Sequence, residues 1–262
     1  MTLGEAAEAW SRTHRVDAEG CEIRFREAGR GPSLVLVHGL GLSADFWARN
    51  GPPLAAAGFR VLAPDLPGFG RTEGPPLLPV EEQARWVARW ADAVGLGPAA
   101  YVGHSVSCQT ALELAAGAPE RVTALVLAAP TGDPAPGRLL RQAAGFVVDP
   151  VFEPLDLFVS VGENYLRAGF GRWLRTWVAA GRHDTMAAAR RARAPGIVLL
   201  GKHDPVVRRG FARELAEALP GGRCVVLPAG AHAIVFDAAE EFNAAVVKFL
   251  RKVLPEARSA DP

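Results

Sequence analysis

Ala99-Ala100-Tyr101-Val102-Gly103-His104-Ser105-Val106-Ser107 decides how this chain is read. An apolar run of strand character ends at Gly103, and a serine follows two residues later, ahead of an amphipathic stretch from Val106 to Ala116. A serine forced into a sharp turn between strand and helix has its hydroxyl lifted clear of the backbone, where a base and a substrate both reach it. Small residues are needed on either side because the turn packs the helix against neighbouring strands. Gly103 fills the first of these positions, and Ser107 stands where glycine is usual in the last. Alone, such a pentapeptide also fits an ordinary turn or helix cap.

Two downstream segments give the serine partners. Gly201-Lys202-His203-Asp204-Pro205-Val206-Val207 follows the apolar run Ile197 to Leu200, so Asp204 falls in the loop at the end of a strand, where the acid of a catalytic triad would lie. Val225-Val226-Leu227-Pro228-Ala229-Gly230-Ala231-His232 sets His232 beyond another strand and before a helical stretch starting near Ile234. Serine, carboxylate and imidazole on three separate strand ends form the set that nucleophilic acyl transfer requires.

The composition excludes other classes. The 262-residue chain is 49% apolar, enough for a substantial core, and it carries 29 Lys and Arg against 28 Asp and Glu without long blocks of either sign. No nucleic-acid partner is expected from this balance. Residues 1–20 lack the apolar stretch of a secretory signal, and no uninterrupted apolar run reaches the roughly 18 to 20 residues of a membrane span. A soluble cytoplasmic protein, monomer or homodimer, acting on a small molecule and not on a membrane, is the expectation. Cys21, Cys108 and Cys224 are odd in number and far apart, which argues for reduced, mostly buried thiols. The dipeptides His183-Asp184 and His203-Asp204 point their side chains in different directions, so no metal and no cofactor are expected.

Short apolar runs alternate with amphipathic segments, the pattern of a mainly parallel sheet with helices on both faces. Strands are read near residues 15–16, 21–28, 34–37, 60–63, 99–103, 122–127, 196–200 and 224–227, and helices over about 44–57, 80–94, 106–116, 208–218 and 238–253. In the second helix Trp86, Val87, Trp90 and Val94 form an apolar stripe, so these tryptophans belong to the core. The alternation fails over 133–193, too long for a structureless loop and too aromatic for a linker, with Phe146, Phe152, Phe158, Tyr165, Phe170, Trp173 and Trp177. The expected organisation is a core of residues 1–132 and 194–262 with a helical cap at 133–193 inserted after strand six. Most of these aromatics pack the insertion onto the core, while Phe146, Phe158, Trp173 and Trp177 are candidates for an apolar substrate pocket.

Further motifs give the chain a family likeness. Val37-His38-Gly39-Leu40-Gly41 after the third strand is similar to an oxyanion loop, and Asp65-Leu66-Pro67-Gly68-Phe69-Gly70-Arg71-Thr72 resembles an Asp-x-x-Gly-x-Gly-x-Ser turn with Thr72 in the serine position. With the serine turn and the Gly230-Ala231-His232 region followed by Asn243, the chain resembles the α/β-hydrolase superfamily over almost its whole length, specifically the small capped serine hydrolases. These include carboxylesterases, C–C bond hydrolases of aromatic degradation and cofactor-free haloperoxidases. Ser, Asp, His is the chain order of that superfamily. The resemblance implies an eight-stranded, mostly parallel sheet; Ser105 as nucleophile, His232 as base and Asp204 as its orienting acid; and backbone N–H groups of Leu40 and Val106 as oxyanion donors. It implies that His38 braces the loop and that His104 packs away from the nucleophile. Asp133, in the loop after strand six, is an alternative acid, less favoured because Asp204 has the Gly-x-x-Asp-x-x-Val setting. The expected activity is carboxylesterase-like hydrolysis of a small, largely apolar ester through an acyl-enzyme. C–C bond hydrolysis, a non-turnover ligand receptor on the same fold, and perhydrolysis or halogenation as a side reaction stand as alternatives. Arg167, Arg172, Arg175 and Arg190 of the insertion are possible carboxylate anchors or solvated faces.

Overall fold

Central strands that are mostly apolar and buried on both faces must be covered on both sides, and this dictates the layering. The computed structural model describes residues 1–75, 78–152 and 155–254, excluding the side chains of residues 155, 156 and 158–161. Among these residues, β1 (His14–Ala18), β2 (Cys21–Ala28), β3 (Ser33–Val37), β4 (Arg60–Pro64), β5 (Ala99–His104), β6 (Val122–Ala128), β7 (Gly196–Gly201) and β8 (Arg223–Leu227) form one sheet in the order β1-β2-β4-β3-β5-β6-β7-β8. β1–β2 and β2–β4 are antiparallel, and the remaining neighbours are parallel.

Helices α1 (Leu3–Ser11), α2 (Gly51–Ala56), α3 (Val80–Ala93), α4 (Ser107–Gly117), α5 (Arg138–Val148), α6 (Leu155–Ala168), α7 (Phe170–Ala180), α8 (Thr185–Arg191), α9 (Arg209–Glu217), α10 (Ile234–Asp237) and α11 (Ala239–Val253) flank or cover the sheet. Side chains alternate along a strand, so each face has its own core. Val35, Val37 and Tyr101 join the layer with α3, α4, α8 and α9, whereas Leu34, Leu36 and Val102 join that with α1, α2 and α11. No helix among the described residues is long and apolar enough to cross a membrane.

Three expectations are corrected. The helix over 44–57 is two pieces, a 3₁₀ turn at Ala44–Trp47 and then α2, because Pro52 and Pro53 lack the N–H groups a continuous helix would use. Helix α1 was not expected at all. Thr2 and Glu5 cap it reciprocally, and it buries Ala6 and Trp10, the latter against Gly51. Of the thiols, only Cys108 is buried; Cys21 and Cys224 are half-buried.

The Asp65–Thr72 turn is structural. Asp65 accepts the N–H groups of Ala44 and Arg71 and pairs with the fully buried Arg24 at 3.2 Å, and Arg24 also bonds Asp45 at 2.6 Å. Thr72 fills its serine-like position by accepting the Arg24 N–H at 2.9 Å. This network pins the antiparallel strand β2, which lies between β1 and β4, to the loop that follows β4. Residues 133–193 form α5–α8 and contain no strand among the described residues. Helix α8 buries Ala188 and Ala189 in the core shared with α4, while α5–α7 lie over the strand ends.

Candidate active site

The chain turns to opposite sides of β3, with β4 on one flank and β5 on the other, and parallel sheets form their ligand crevices at such a switch point. The loops after β3, β5, β7 and β8 converge there. Ser105, between β5 and α4, has φ +57°, the left-handed conformation that a sharp strand-to-helix turn demands. A Cβ at Gly103 would overlap the Ser107 carbonyl, which is the physical reason for glycine there. Ser107 donates its hydroxyl to the His38 carbonyl and so ties the β5 turn to the β3 loop, a bond that glycine could not make.

The three expected side chains come together. His232 Nε2 lies 3.0 Å from Ser105 Oγ, and its Nδ1 lies 3.1 Å from Asp204 Oδ2. The Asp204 side chain is fully buried, and its Oδ1 accepts the N–H groups of Val206 and Val207 at 2.7 and 2.9 Å. An acceptor-only carboxylate at Nδ1 assigns the proton to that nitrogen and leaves Nε2 free to accept one from serine. Gly201 allows the two loops to meet, since a Cβ there would overlap the Gly230 and Ala231 carbonyls.

The duller assignments resolve as well. His38 donates from Nδ1 to the Gly39 carbonyl at 2.8 Å and accepts the Leu66 N–H on Nε2 at 3.0 Å, and burial lowers its pKa, so it braces the loop as a neutral ring. His104 does not turn wholly away. Its Nε2–H donates to the His232 carbonyl at 3.0 Å and the rings lie 5.4 Å apart, so it supports the His232 loop. Burial and the neighbouring His232 push its pKa down to about 3. Asp133 is committed elsewhere, to Arg208, Arg141 and the Ala135 N–H, each at 2.9 Å. Burial alone would raise its carboxyl, but the Arg208 hydrogen bond and these other partners hold it below the usual range. Asn243 accepts from Asn50 and donates to the Arg49 carbonyl, joining α11 to the turn before α2.

Above the serine lies a cavity of about 540 Å³. Leu40 and Val106 line it, and neither backbone N–H makes a hydrogen bond among the described residues. The walls are Leu42 and Phe46 from the core and Phe146, Leu157, Phe170 and Trp173 from α5–α7. Phe146 stands edge-on to the His232 ring at 5.5 Å. Trp177, expected on the wall, instead stacks behind Trp173 with centroids 5.7 Å apart, because the cavity ends within one helical turn. Phe158 falls outside the described side chains. Asp149, at the head of the 3₁₀ turn Asp149–Val151, was missed: it lines the cavity, and its Oδ1 accepts the His232 N–H at 3.2 Å.

The four candidate arginines of the insertion, Arg167, Arg172, Arg175 and Arg190, do not line the cavity. Arg167 pairs with Glu163, Arg172 donates to the Gly68 and Gly74 carbonyls, and Arg175 and Arg190 are exposed. Among the described residues no group of three or more His, Cys, Asp and Glu is arranged to hold a metal ion.

Comparison with known proteins agrees with this architecture. A family model described as alpha/beta hydrolase fold matches residues 32–162. A 2-hydroxy-6-oxo-6-phenylhexa-2,4-dienoate hydrolase of Comamonas testosteroni is 27% identical, the match covering 88% of this chain and 91% of that one. Among solved structures, a membrane phospholipase A described as a bacterial virulence factor superposes with TM-score 0.83 at 25% identity, covering 95% of this chain and 89% of that one. The enol-lactonase of Burkholderia xenovorans LB400 superposes with TM-score 0.77 at 25% identity, covering 91% and 100%.

Proposed function

Because the chain belongs to the alpha/beta hydrolase fold family, we propose that it is a serine hydrolase that cleaves an ester of a small, largely apolar acyl group through an acyl-enzyme. The observation that carries this reading is the continuous relay from Ser105 Oγ through His232 to Asp204, at 3.0 and 3.1 Å, on the floor of an apolar-walled cavity. Likeness to an enol-lactonase and to a phospholipase supports ester bonds as the target.

Ser105 is a weak nucleophile until His232 Nε2 takes its proton as Oγ attacks the carbonyl carbon. The tetrahedral oxyanion is met by the backbone N–H groups of Leu40 and Val106, each such donor contributing about 3 kcal/mol to the transition state. His232 returns the proton to the departing alkoxide, leaving Ser105 acylated. Water then attacks the acyl carbon while giving a proton to the same nitrogen, and as the bond to Oγ breaks His232 returns that proton to Ser105 and the acid leaves. Asp204 holds the ring in the tautomer this cycle needs and stabilises the imidazolium in each half.

The test is turnover of p-nitrophenyl butyrate. Sustained release of p-nitrophenol that vanishes in Ser105→Ala is expected. Turnover that survives the substitution overturns the reading, and one slow equivalent per chain without recycling points to a ligand receptor on the same fold.

C–C bond hydrolysis is the second reading, and the dienoate hydrolase at 27% identity favours it. It would use the same three side chains. The cavity wall weighs against it, since a dienoate carries a carboxylate and no Arg or Lys lines the cavity among the described residues. An aromatic dienoate run beside the ester in one assay separates the two.

A further inference from the structure

Asp149 is part of the wall of the cavity that opens above Ser105. It lies in the same cavity as Ser105 and His232, fixed by the His232 N–H at 3.2 Å. Imidazoles and the Tyr165 phenol aside, it is the one ionisable side chain on that wall among the described residues. Building on the ester-hydrolase reading above, we infer that Asp149 sets the charge class of the substrate: the site takes esters with neutral or cationic acyl chains and turns away anionic ones.

The argument is one of missing compensation. A carboxylate or sulfonate entering the cavity would lose water and meet Asp149 within a few ångströms, in a setting where like charges repel more strongly than in solvent. Among the described residues no Arg or Lys lines the wall to offset this: Arg167 and Arg172 are engaged elsewhere, and Arg175 and Arg190 face solvent. A cationic chain would find in Asp149 an opposite charge in the same surroundings. Discrimination of this kind is built as much by repelling the wrong ligand as by holding the right one.

The group also carries its own signature. The charged or titratable groups facing it are His232 from the loop after β8, Asp204 from the loop after β7 and Asp237 from α10. Burial pushes the Asp149 carboxyl up to about 6; His232 opposes the rise, and Asp204 and Asp237 add to it. Buried His104 stays neutral over the working range. Asp149 is therefore neutral below about pH 6 and negative above it.

The experiment compares kcat/KM for three p-nitrophenyl esters of equal acyl length, ending in methyl, trimethylammonium or sulfonate, from pH 5 to 8.5 at fixed ionic strength. The terminal charges do not titrate, and the protonation of His232 affects all three esters alike, so their ratios isolate Asp149. In the wild type the methyl-to-sulfonate ratio is expected to grow about tenfold as pH rises through the Asp149 transition, with the ammonium ester gaining on the methyl ester. Asp149→Asn, which keeps an acceptor for the His232 N–H, is expected to flatten both ratios whatever its absolute rates, and Asp149→Glu to restore a slope. Ratios in Asp149→Asn that match the wild type at every pH, or a wild type indifferent to terminal charge, overturn the inference. If no ester turns over, the ester-hydrolase reading fails while this one is still judged: calorimetric binding of the corresponding amides to Ser105→Ala must show the same charge order, and equal affinities overturn it.

Discussion

The rim of the sheet and the helices above it are built on opposite principles. At the rim each functional polar group is nearly dry and has a named partner: Ser105 and His232 are each 5% exposed, and Asp204 accepts three hydrogen bonds. Its glycines at 103 and 201 are imposed by carbonyls that leave no room for a Cβ. Helices α5–α7 meet the cavity mostly with apolar rings and leave Leu140, Val147, Leu166 and Phe170 more than 70% exposed. They are anchored to the core through a few polar contacts, Arg172 on the Gly68 and Gly74 carbonyls and Asp149 on the His232 N–H among them. On the proposed function, chemistry is lodged where geometry is over-determined, and selection where the walls are apolar and lightly tied.

Substitutions at the rim should therefore act on rate, and those in the helices on preference. The largest effect is expected for Asp204→Asn, which leaves the shape but offers a donor to Nδ1 and favours the wrong tautomer; kcat for p-nitrophenyl butyrate should fall about 10⁴-fold with little change in stability. Asp65→Ala leaves the fully buried Arg24 guanidinium with Asp45 as its one carboxylate partner and removes the acceptor of the Ala44 and Arg71 N–H groups, and it should cost about 3 kcal/mol in a urea titration while the folded fraction retains its KM. Trp173→Ala should separate substrates and not slow all of them: kcat/KM for the hexanoate ester falls about thirtyfold, from roughly 2 kcal/mol of apolar contact, and the acetate ester changes little.

The smallest effect is on stability and concerns Asp149. A carboxyl whose folded pKa is raised to about 6 binds its proton more tightly folded than unfolded, so its stabilising contribution is full below the ordinary aspartate range and is lost as pH climbs through about 6. Asp149→Asn should then be more stable to urea than the wild type at pH 8, by about 1 kcal/mol once screening at this partly exposed site is allowed for, and show no such gain at pH 4.

What the sequence revealed follows the same division. Ser105, Asp204 and His232 were legible because each follows an apolar strand and has a glycine two or three positions before it, so a local pattern marks three residues that the fold brings together. Eight strands were legible from runs that end on turn residues. Helix α1 was missed although Thr2 and Glu5 spell out its capping box, because the mixed polar composition around them hid a short apolar face. Trp173 and Trp177 share one helix face, so spacing alone could not tell which of them reaches the cavity. Asp149 had no local signal at all: its partner His232 is 83 positions away, and only packing brings them together.

The central claim is that Ser105 is a nucleophile activated by His232, and active-site labelling tests it most directly. Incubation with a fluorophosphonate, followed by intact-mass and peptide analysis, is expected to give one adduct per chain on Ser105, formed at least a hundredfold more slowly in His232→Ala. An unmodified Ser105 in protein that still turns over esters, or labelling indifferent to the loss of His232, would contradict the account.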